Sequence, residues 1–190
     1  MKKRKPVEYV NNQDFHNAIV KYREQMEIAK AEGKEIPIMP NYVGECIWKI
    51  AEKLSTKPCF INYSFRDEMI SDGVENCLLY FHDYNPNFVP AEGNKPQNAF
   101  AYFTQIVYYA FLRRINKEEK NRYALYKNFQ ETITNNHDMG YLVDSDDKHL
   151  MPSQLYDNIL EFMDRFEKKE EVKKQKRKQI KEGLSQFIEE

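Results

Sequence analysis

Long apolar runs are missing from this sequence, and no stretch approaches the ~20 consecutive apolar residues that a membrane-spanning helix needs. The opening Met-Lys-Lys-Arg-Lys is followed by Pro6 and polar residues, not by the apolar segment of a secretory signal peptide. The three cysteines, Cys46, Cys59 and Cys77, are an odd number without a CxxC pair, which argues against a disulfide framework or a zinc site. We therefore expect a cytoplasmic protein with reduced thiols and no membrane contact.

Catalytic signatures are also missing. The sequence has no Ser or Cys nucleophile motif and no Gly-rich phosphate loop, and its four histidines are scattered. The acidic stretch 144–147 with His149 could suggest metal ligands, but no second cluster of carboxylates or histidines accompanies it, so acidic turn chemistry is the better interpretation. The sequence predicts a protein that is not an enzyme and that uses neither a cofactor nor a metal ion.

Charge of one sign is not in excess, because the net charge is −1. Any contact with nucleic acid must therefore come from local clusters of Lys and Arg. A length of 190 residues with 41% hydrophobic and 31% charged residues allows one compact core with solvated extensions. The 13 tyrosines add rings that can pack while their hydroxyl groups stay in water.

Apolar residues recur at helical spacing in five segments. The predicted helices begin near Asp14, Tyr42, Ser64, Asn98 and Ser153. The predicted buried residues of the first helix are Phe15, Ile19, Tyr22, Met26 and Ala29, and those of the second are Val43, Ile47, Ile50, Ala51 and Leu54, with Trp48 near the edge of that stripe. The apolar stripe of the third helix includes Leu78, and the charged segment 167–181 after the last stripe is predicted to be a solvated helix or a flexible spacer. Ser64-x-x-Asp67 is similar to a capping box, and Gly33 and Asn85-Pro86 are predicted helix ends. The sequence therefore predicts an all-α fold, a compact helical domain with an N-terminal helix and a C-terminal helix that runs into a flexible tail.

The third predicted helix carries an acidic row opposite its apolar stripe. Glu68, Asp72, Glu75 and Leu79 follow i, i+4, i+7 and i+11. An exposed leucine within a row of carboxylates is typical of a surface on which a basic partner protein docks. The alternative is an ordinary solvated helix face.

The fourth predicted helix has an apolar stripe formed by Phe100, Phe103, Val107, Phe111 and Ile115. The opposite face consists of Tyr102, Gln105, Tyr109, Arg113 and Asn116. Basic residues continue along the helix as Arg114, Lys117, Lys120 and Arg122. Rings stack on unpaired bases, an amide bonds a base edge, and cations bind phosphate, so this order suits opened strands followed by duplex backbone. Alternatively, the tyrosines lie at the core rim and the charges only aid solubility.

The C-terminus has the spacing of a short linear motif. Leu184, Phe187 and Ile188 lie at i, i+3 and i+4, after a charged segment and before Glu189 and Glu190. Such anchors can fill a pocket on a partner once the segment becomes ordered. The frayed end of the last helix is the alternative.

The stretch from Ser64 to Phe129 resembles region 2 of bacterial sigma factors. Glu68-Met-Ile-Ser-Asp-Gly-Val74 is similar to the D-L-I-Q-E-G-x opening of the helix that binds core RNA polymerase, and Asp83-Tyr84 to the D-K-F that closes it. The segment 98–115 resembles the F-S-T-Y-A-x-W-W-I-R-x-x-I helix that melts promoters and recognises the −10 element. The match covers roughly residues 42–128 and is strongest to the late-gene sigma factors of phages with contractile tails.

The resemblance implies roles for individual residues. The residues that match positions in contact with the coiled coil of the polymerase's largest subunit are Glu68, Ser71, Asp72 and Leu78. Glu75 and Leu79 of the acidic row complete the predicted docking surface. Phe103 matches the aromatic residue that captures a flipped adenine, and Phe100 and Tyr84 match neighbouring aromatics. Together with the outer face and the basic residues of the fourth helix, these matches give the predicted DNA contacts, which are Tyr84, Phe100, Tyr102, Phe103, Gln105, Tyr109, Arg113, Arg114, Lys117 and Lys120.

The sequence departs from the family at two places. Ile106-Val107 replaces the family's Trp pair, so we expect the melting wedge to come from Tyr102, Tyr108 or Tyr109. Ala110 replaces the glutamine that reads the upstream edge of the −10 element.

The family's phage members keep only the region-2-like domain and add a C-terminal motif that binds the phage sliding clamp, which residues 183–190 resemble. The resemblance implies a late-gene sigma factor, monomeric when free, in the cytoplasm of a bacterial host. It would dock on host core RNA polymerase, melt a −10-like AT-rich promoter element and bind the clamp. A helical adaptor that bridges polymerase and clamp without reading DNA is the alternative, and a purely structural helical protein would explain neither face.

The predicted domain organisation has five parts: an N-terminal arm and helix (1–40), the region-2-like domain (41–129), a linker (130–152), a C-terminal helix with a charged spacer (153–182) and the clamp-binding motif (183–190).

Overall fold

The computed structural model describes residues 9–86, 98–135 and 153–188, without the side chains of residues 133–135, 153 and 181–188. These residues form five α-helices and one 3-10 helix and contain no β-strand, which confirms the all-α fold. The elements are α1 (Asn12–Ala31), α2 (Asn41–Ser55), α3 (Arg66–Leu79), the 3-10 helix (Phe81–Asp83), α4 (Ala99–Asn135) and α5 (Ser153–Ile188). Within this described part, no helix is both long and apolar enough to cross a membrane.

The chain divides into two compact units, Met1–Ile115 and Asn116–Glu190. This division differs from the predicted boundaries at 40 and 129. The N-terminal helix belongs to the first unit, because α1 contributes Phe15 and Ile19 to its core. α4 crosses the predicted boundary at 129 and continues to Asn135.

Aromatic rings from three elements meet at the centre of the first unit. Phe103 of α4 lies 5.5 Å from Phe15 of α1 and 5.9 Å from Phe81 of the 3-10 helix, measured between ring centroids. All three side chains are fully buried. The 3-10 helix is also tied to α1, because Arg23 donates hydrogen bonds to the carbonyls of Tyr84 and of His82.

α3 and α4 pack closely at Gly73. A Cβ on Gly73 would lie 3.0 Å from Cγ1 of Val107 and 3.1 Å from Cε1 of Phe111. Val107, which the resemblance matched to one tryptophan of a pair in sigma factors, is fully buried.

Two helix starts differ from prediction. α1 begins at Asn12, and the Asn11 side chain accepts a hydrogen bond of 3.0 Å from the Gln13 amide, so Asn11 is the cap and Asp14 lies in the first turn. The capping box at Ser64 is wrong, because α3 begins at Arg66 and its cap residue, Phe65, offers no side-chain hydrogen bond. Gly33 ends α1 as predicted, with a φ of 64° that suits glycine.

In the second unit, α4 and α5 form an antiparallel pair. Tyr123 of α4 stacks on Phe166 of α5, with 4.7 Å between the ring centroids. One turn earlier on α4, Glu119 accepts a 2.5 Å hydrogen bond from Lys169, which lies one turn later on α5. The charged segment after Phe166 was predicted to be a solvated helix or a flexible spacer. It is helical, because α5 continues without a break to Ile188.

Candidate partner and nucleic-acid interfaces

The predicted docking row on α3 faces solvent. Glu68, Ser71 and Glu75 are exposed, and Leu78 and Leu79 expose 46% and 67% of their surface. The opposite side of α3 is buried through Met69, Ile70, Gly73 and Cys77. Sequence periodicity placed Leu78 with the core residues, and the structure places it outside with Leu79.

Asp72 differs from the rest of the row because it is engaged within the protein. Its carboxylate lies 3.2 Å from Nε of Arg114 on α4, and both side chains are at least two-thirds buried. One turn later on α3, Asn76 accepts a 2.6 Å hydrogen bond from Arg113 and donates one to the Asp72 carbonyl. Arg113 and Arg114 were predicted to bind phosphate, but both guanidinium groups are directed to α3, because α3 and α4 pack closely at Gly73.

An open groove of about 490 Å³ runs beside the docking row. Its lining residues are Trp48, Ser71, Val74, Glu75, Leu78 and Leu79. Trp48 comes from α2, and 51% of its surface is exposed. Sequence reasoning placed this residue near the edge of the α2 stripe and did not include it in a site. The available signal was a lone tryptophan at the border of an apolar stripe.

The outer face of α4 is exposed largely as predicted. Gln105 is exposed, and Tyr109 shows 51% of its surface. Tyr102 is half-buried and its hydroxyl donates a 3.1 Å hydrogen bond to the Tyr80 carbonyl. Burial raises the pKa of Tyr102, and the Asp83 carboxylate raises it further.

Two predicted DNA contacts are inside the core. Phe103 and Tyr84 are both fully buried, and their rings lie 5.8 Å apart. The Tyr84 hydroxyl is 3.0 Å from Nδ1 of His16, and burial raises the pKa of Tyr84, an effect that Arg23 partly offsets. In this structure neither ring can stack on a base. Ala110, at the position of the family's reading glutamine, is buried as well.

Phe100 is only half-buried. The Tyr9 ring packs edge-on against the Phe100 ring, with 5.7 Å between the ring centroids. The Phe100 backbone amide donates a 3.2 Å hydrogen bond to the side-chain oxygen of Asn12. The ring therefore stands at the border between the core and the surface of α4.

A second depression, of about 440 Å³, lies along the first turns of α4. Its lining residues are Leu54, Lys57, Phe100, Ala101, Thr104, Gln105, Tyr108 and Tyr109. The Tyr108 ring is anchored edge-on against Phe60 at 5.7 Å and lies 5.9 Å from Tyr109. Within the described residues, neither the Gln105 amide nor the Lys57 ammonium has a hydrogen-bond partner. Lys57 lies just after α2, so the sequence of α4 gave no signal for it.

Basic residues further along α4 belong to the second unit. Lys117 and Lys120 are exposed, as predicted. Arg122 lies over the Phe162 ring of α5, 5.5 Å from its centroid, which is a cation–π geometry.

The predicted clamp-binding residues fall at the limit of the described structure. The backbone of Leu184, Phe187 and Ile188 is helical, as part of α5, but their side chains and all of Glu189 and Glu190 lie outside the described residues. The acidic stretch 144–147 and His149 also lie outside. Among the side chains that are described, no three His, Cys, Asp or Glu residues come together as metal ligands would.

Comparison with protein-family models gives no match. No curated protein matches the sequence either.

Proposed function

We propose that this chain is a sigma-like transcription initiation factor that docks on a bacterial core RNA polymerase through α3. The observation that carries the proposal is the exposed row of α3, in which the carboxylates of Glu68 and Glu75 precede the exposed Leu78 and Leu79. Glu68 and Glu75 form no ion pair within the described residues, so both charges remain available to a basic partner. Apolar anchors within a charged rim are typical of energetically important interface residues, and the charges steer encounter.

The proposed DNA contacts lie on the outer face of α4. The depression along the first turns of α4 is the proposed site for an unpaired base. Phe100 and Tyr109 supply rings there, Gln105 supplies an amide and Lys57 a cation. A stacked base gains roughly 1–3 kcal/mol, and an AT-rich element opens easily because its steps stack weakly. Lys117 and Lys120 would then bind phosphate. Phe103 and Tyr84 are left out of this proposal because they are buried.

The C-terminal residues 183–190 supply the third proposed contact, to a DNA sliding clamp. A tether of this kind raises the local concentration of polymerase at the promoter without any new promoter contact.

Docking and promoter opening can be tested separately. Glu68→Lys combined with Leu79→Ala changes two exposed residues and should lower affinity for core polymerase about tenfold or more without changing the melting temperature. Asp72 is unsuitable for this test because its substitution would break the pair with Arg114. Unchanged binding by the double variant would rule out α3 as the docking helix.

Permanganate footprinting on a supercoiled AT-rich template tests promoter opening. With core polymerase and this chain, we expect reactive thymines in a −10-like element. The second candidate function is the adaptor that binds polymerase and clamp without opening DNA. It is favoured by the burial of Phe103 and Tyr84 and by the engagement of Arg113 and Arg114 with α3. Stable docking without reactive thymines would select the adaptor.

A further inference from the structure

Trp48 is the chain's only tryptophan, and half of its surface is exposed although it stands on a helix with a well-buried apolar face. It borders the same groove as Leu78 and Leu79 of α3. Tryptophan is over-represented among the residues that contribute most to protein interfaces, because a large rigid ring is buried there at low entropic cost. An exposed tryptophan beside two exposed leucines therefore indicates an interface that extends to α2.

The surroundings of this groove are acidic. On α2, Glu45 and Glu52 are exposed one turn before and one turn after Trp48, and Glu75 lines the groove from α3. Lys49 lies 3.7 Å from Glu45, and this exposed pair is weak. Glu52 and Glu75 have no ion-pair partner among the described residues. An apolar groove with an acidic rim is complementary to an apolar side chain that basic residues flank.

Gly44 opens the surface beside Trp48. The two residues are i and i+4 on α2 and so share a face. A Cβ at Gly44 would have no heavy atom within 4 Å, so the fold has no steric need for glycine at this position. Glycine is less favourable than alanine inside a helix, and its smallness leaves room for a partner's main chain to approach closely.

We propose that the groove between α2 and α3 binds an apolar side chain of a basic amphipathic helix, with Trp48 as its central contact and Gly44 as the point of closest approach. The inference rests on the proposed docking function and names a second helix of the same interface. Under that function, the partner helix belongs to the coiled coil of the polymerase's largest subunit.

Substitutions at Trp48 test the contact in binding assays with core RNA polymerase. Trp48→Ala should weaken binding about 30-fold or more, whereas Trp48→Phe should cost less than about fivefold because it keeps a ring in the groove. Tyr42→Ala is the matched control, since Tyr42 is an exposed aromatic residue of α2 that does not line the groove, and binding should be unchanged. Equal binding by Trp48→Ala and Tyr42→Ala would overturn the proposal.

Gly44→Gln is the second variant, and it removes no contact within the fold. Its side chain would occupy the open space beside Trp48, so docking should weaken about tenfold while the melting temperature stays the same or rises. Gly44→Ala should bind nearly as the natural chain does. If Gly44→Gln binds core polymerase as tightly as the natural chain does, the partner helix does not approach α2 at Gly44.

A direct readout comes from replacing Trp48 with 5-hydroxytryptophan during expression, because this analogue is excited where the polymerase's own tryptophans absorb little. Acrylamide should quench its emission in the free chain and much less in the complex. Quenching that stays the same on complex formation would contradict the assignment.

The docking variants distinguish the proposed contact through α3 from the proposed contact through α2. If Glu68→Lys with Leu79→Ala abolishes binding while the Trp48 and Gly44 variants bind normally, α3 docking stands and the α2 contact is wrong. If neither set affects binding, the proposed docking function fails with it.

Discussion

Gly73 determines how closely α3 approaches α4. Val107 and Phe111, the two side chains that a Cβ would meet, are fully buried and cannot turn outward to make room. The docking row on α3 is therefore carried by a helix whose opposite side is packed tightly on the core. A rigid support of this kind lowers the entropy lost when a partner binds.

Gly73→Ala should lower the free energy of unfolding by about 1 kcal/mol, because overpacking costs about 1–3 kcal/mol and the gain in helix propensity is about 1 kcal/mol. Gly44→Ala is the control, since nothing lies within 4 Å of its new Cβ, and should stabilise by up to about 1 kcal/mol. Urea unfolding measures both. Equal stabilisation by the two substitutions would contradict the close packing at Gly73.

Cys77 is fully buried on α3, and burial raises the pKa of its thiol to about 12. Because the pKa in the folded state lies above the value near 9 in the unfolded chain, the unfolded state loses its proton first as pH rises. The contribution of the Cys77 thiol to stability is therefore fully present below about pH 9 and should be lost between about pH 9 and 12.

Urea unfolding across this alkaline range checks the prediction, with Cys77→Ala as the comparison. The variant should lose only part of the pH dependence, because burial also raises the pKa values of Cys46, Tyr84 and Tyr102. If Cys77→Ala leaves the pH dependence of the free energy of unfolding unaltered, the Cys77 thiol does not cause the loss of stability at alkaline pH.

Phe103 shows why a side chain's environment is harder to infer from resemblance than from periodicity. The spacing of Phe103, Val107 and Phe111 predicted a buried stripe, and all three are fully buried. The match to a base-capturing aromatic predicted an exposed ring at the same position. Periodicity follows directly from helix geometry, whereas a matched position keeps its role only if the helix has the same rotation about its axis.

At the level of elements, α3 and α4 are joined by a polar link as well as by packing. The link consists of the Asp72–Arg114 ion pair and the Asn76–Arg113 hydrogen bond. It holds the helix of the docking row against the helix of the proposed DNA face. The basic cluster that sequence predicted for phosphate contact is thus partly structural.

Arg114→Met should lower the free energy of unfolding by about 1–3 kcal/mol, because Asp72 would be left as a partly buried charge without its cation. A double-mutant cycle with Asp72→Asn should give a coupling energy of about 0.5 kcal/mol or more. Lys120→Met, at an exposed position of the same helix, should stay within about 0.5 kcal/mol of the natural chain. Zero coupling between Asp72 and Arg114 would contradict a structural role for the pair.

The positions of the helices along the sequence were more predictable than the faces through which the helices pack against one another. The buried residues of α1 and α2 were found from periodicity, and both helices begin within two residues of prediction. The groove at Trp48 could not be found in this way, because it depends on which faces of α2 and α3 adjoin. The contacts of Arg114 were hidden for the same reason, since a charge pattern along one helix gives no information on the carboxylate opposite.

For the whole molecule, the extent of α5 decides between the two predicted alternatives for the charged segment, a solvated helix or a flexible spacer. The backbone remains helical through this segment, with pairs such as Lys168–Asp164 and Lys173–Glu170 at helical spacing. The backbone of residues 183–188, in the predicted clamp-binding motif, is therefore part of a helix, which constrains its direction more than a flexible spacer would.

Deletion of residues 183–190 should abolish clamp-dependent stimulation of transcription and leave basal initiation unchanged. Leu184→Ala with Phe187→Ala should have the same effect, because the apolar anchors supply the binding energy. Ser185→Ala is the control and should retain stimulation. Run-off transcription with and without clamp-loaded DNA measures each variant. Loss of basal initiation together with stimulation would indicate a folding role for these residues.

The hydrogen bonds from Arg23 to the carbonyls of His82 and Tyr84 span 59 and 61 residues, and the one between Asn12 and Phe100 spans 88. A ribosome synthesises α1 long before it reaches these acceptors and the rings of α4. The first unit therefore cannot complete its core during the early part of translation, because Phe15 meets Phe103 only after α4 has been made. Long-range closure of this kind slows folding and prolongs the exposure of apolar side chains in the nascent chain.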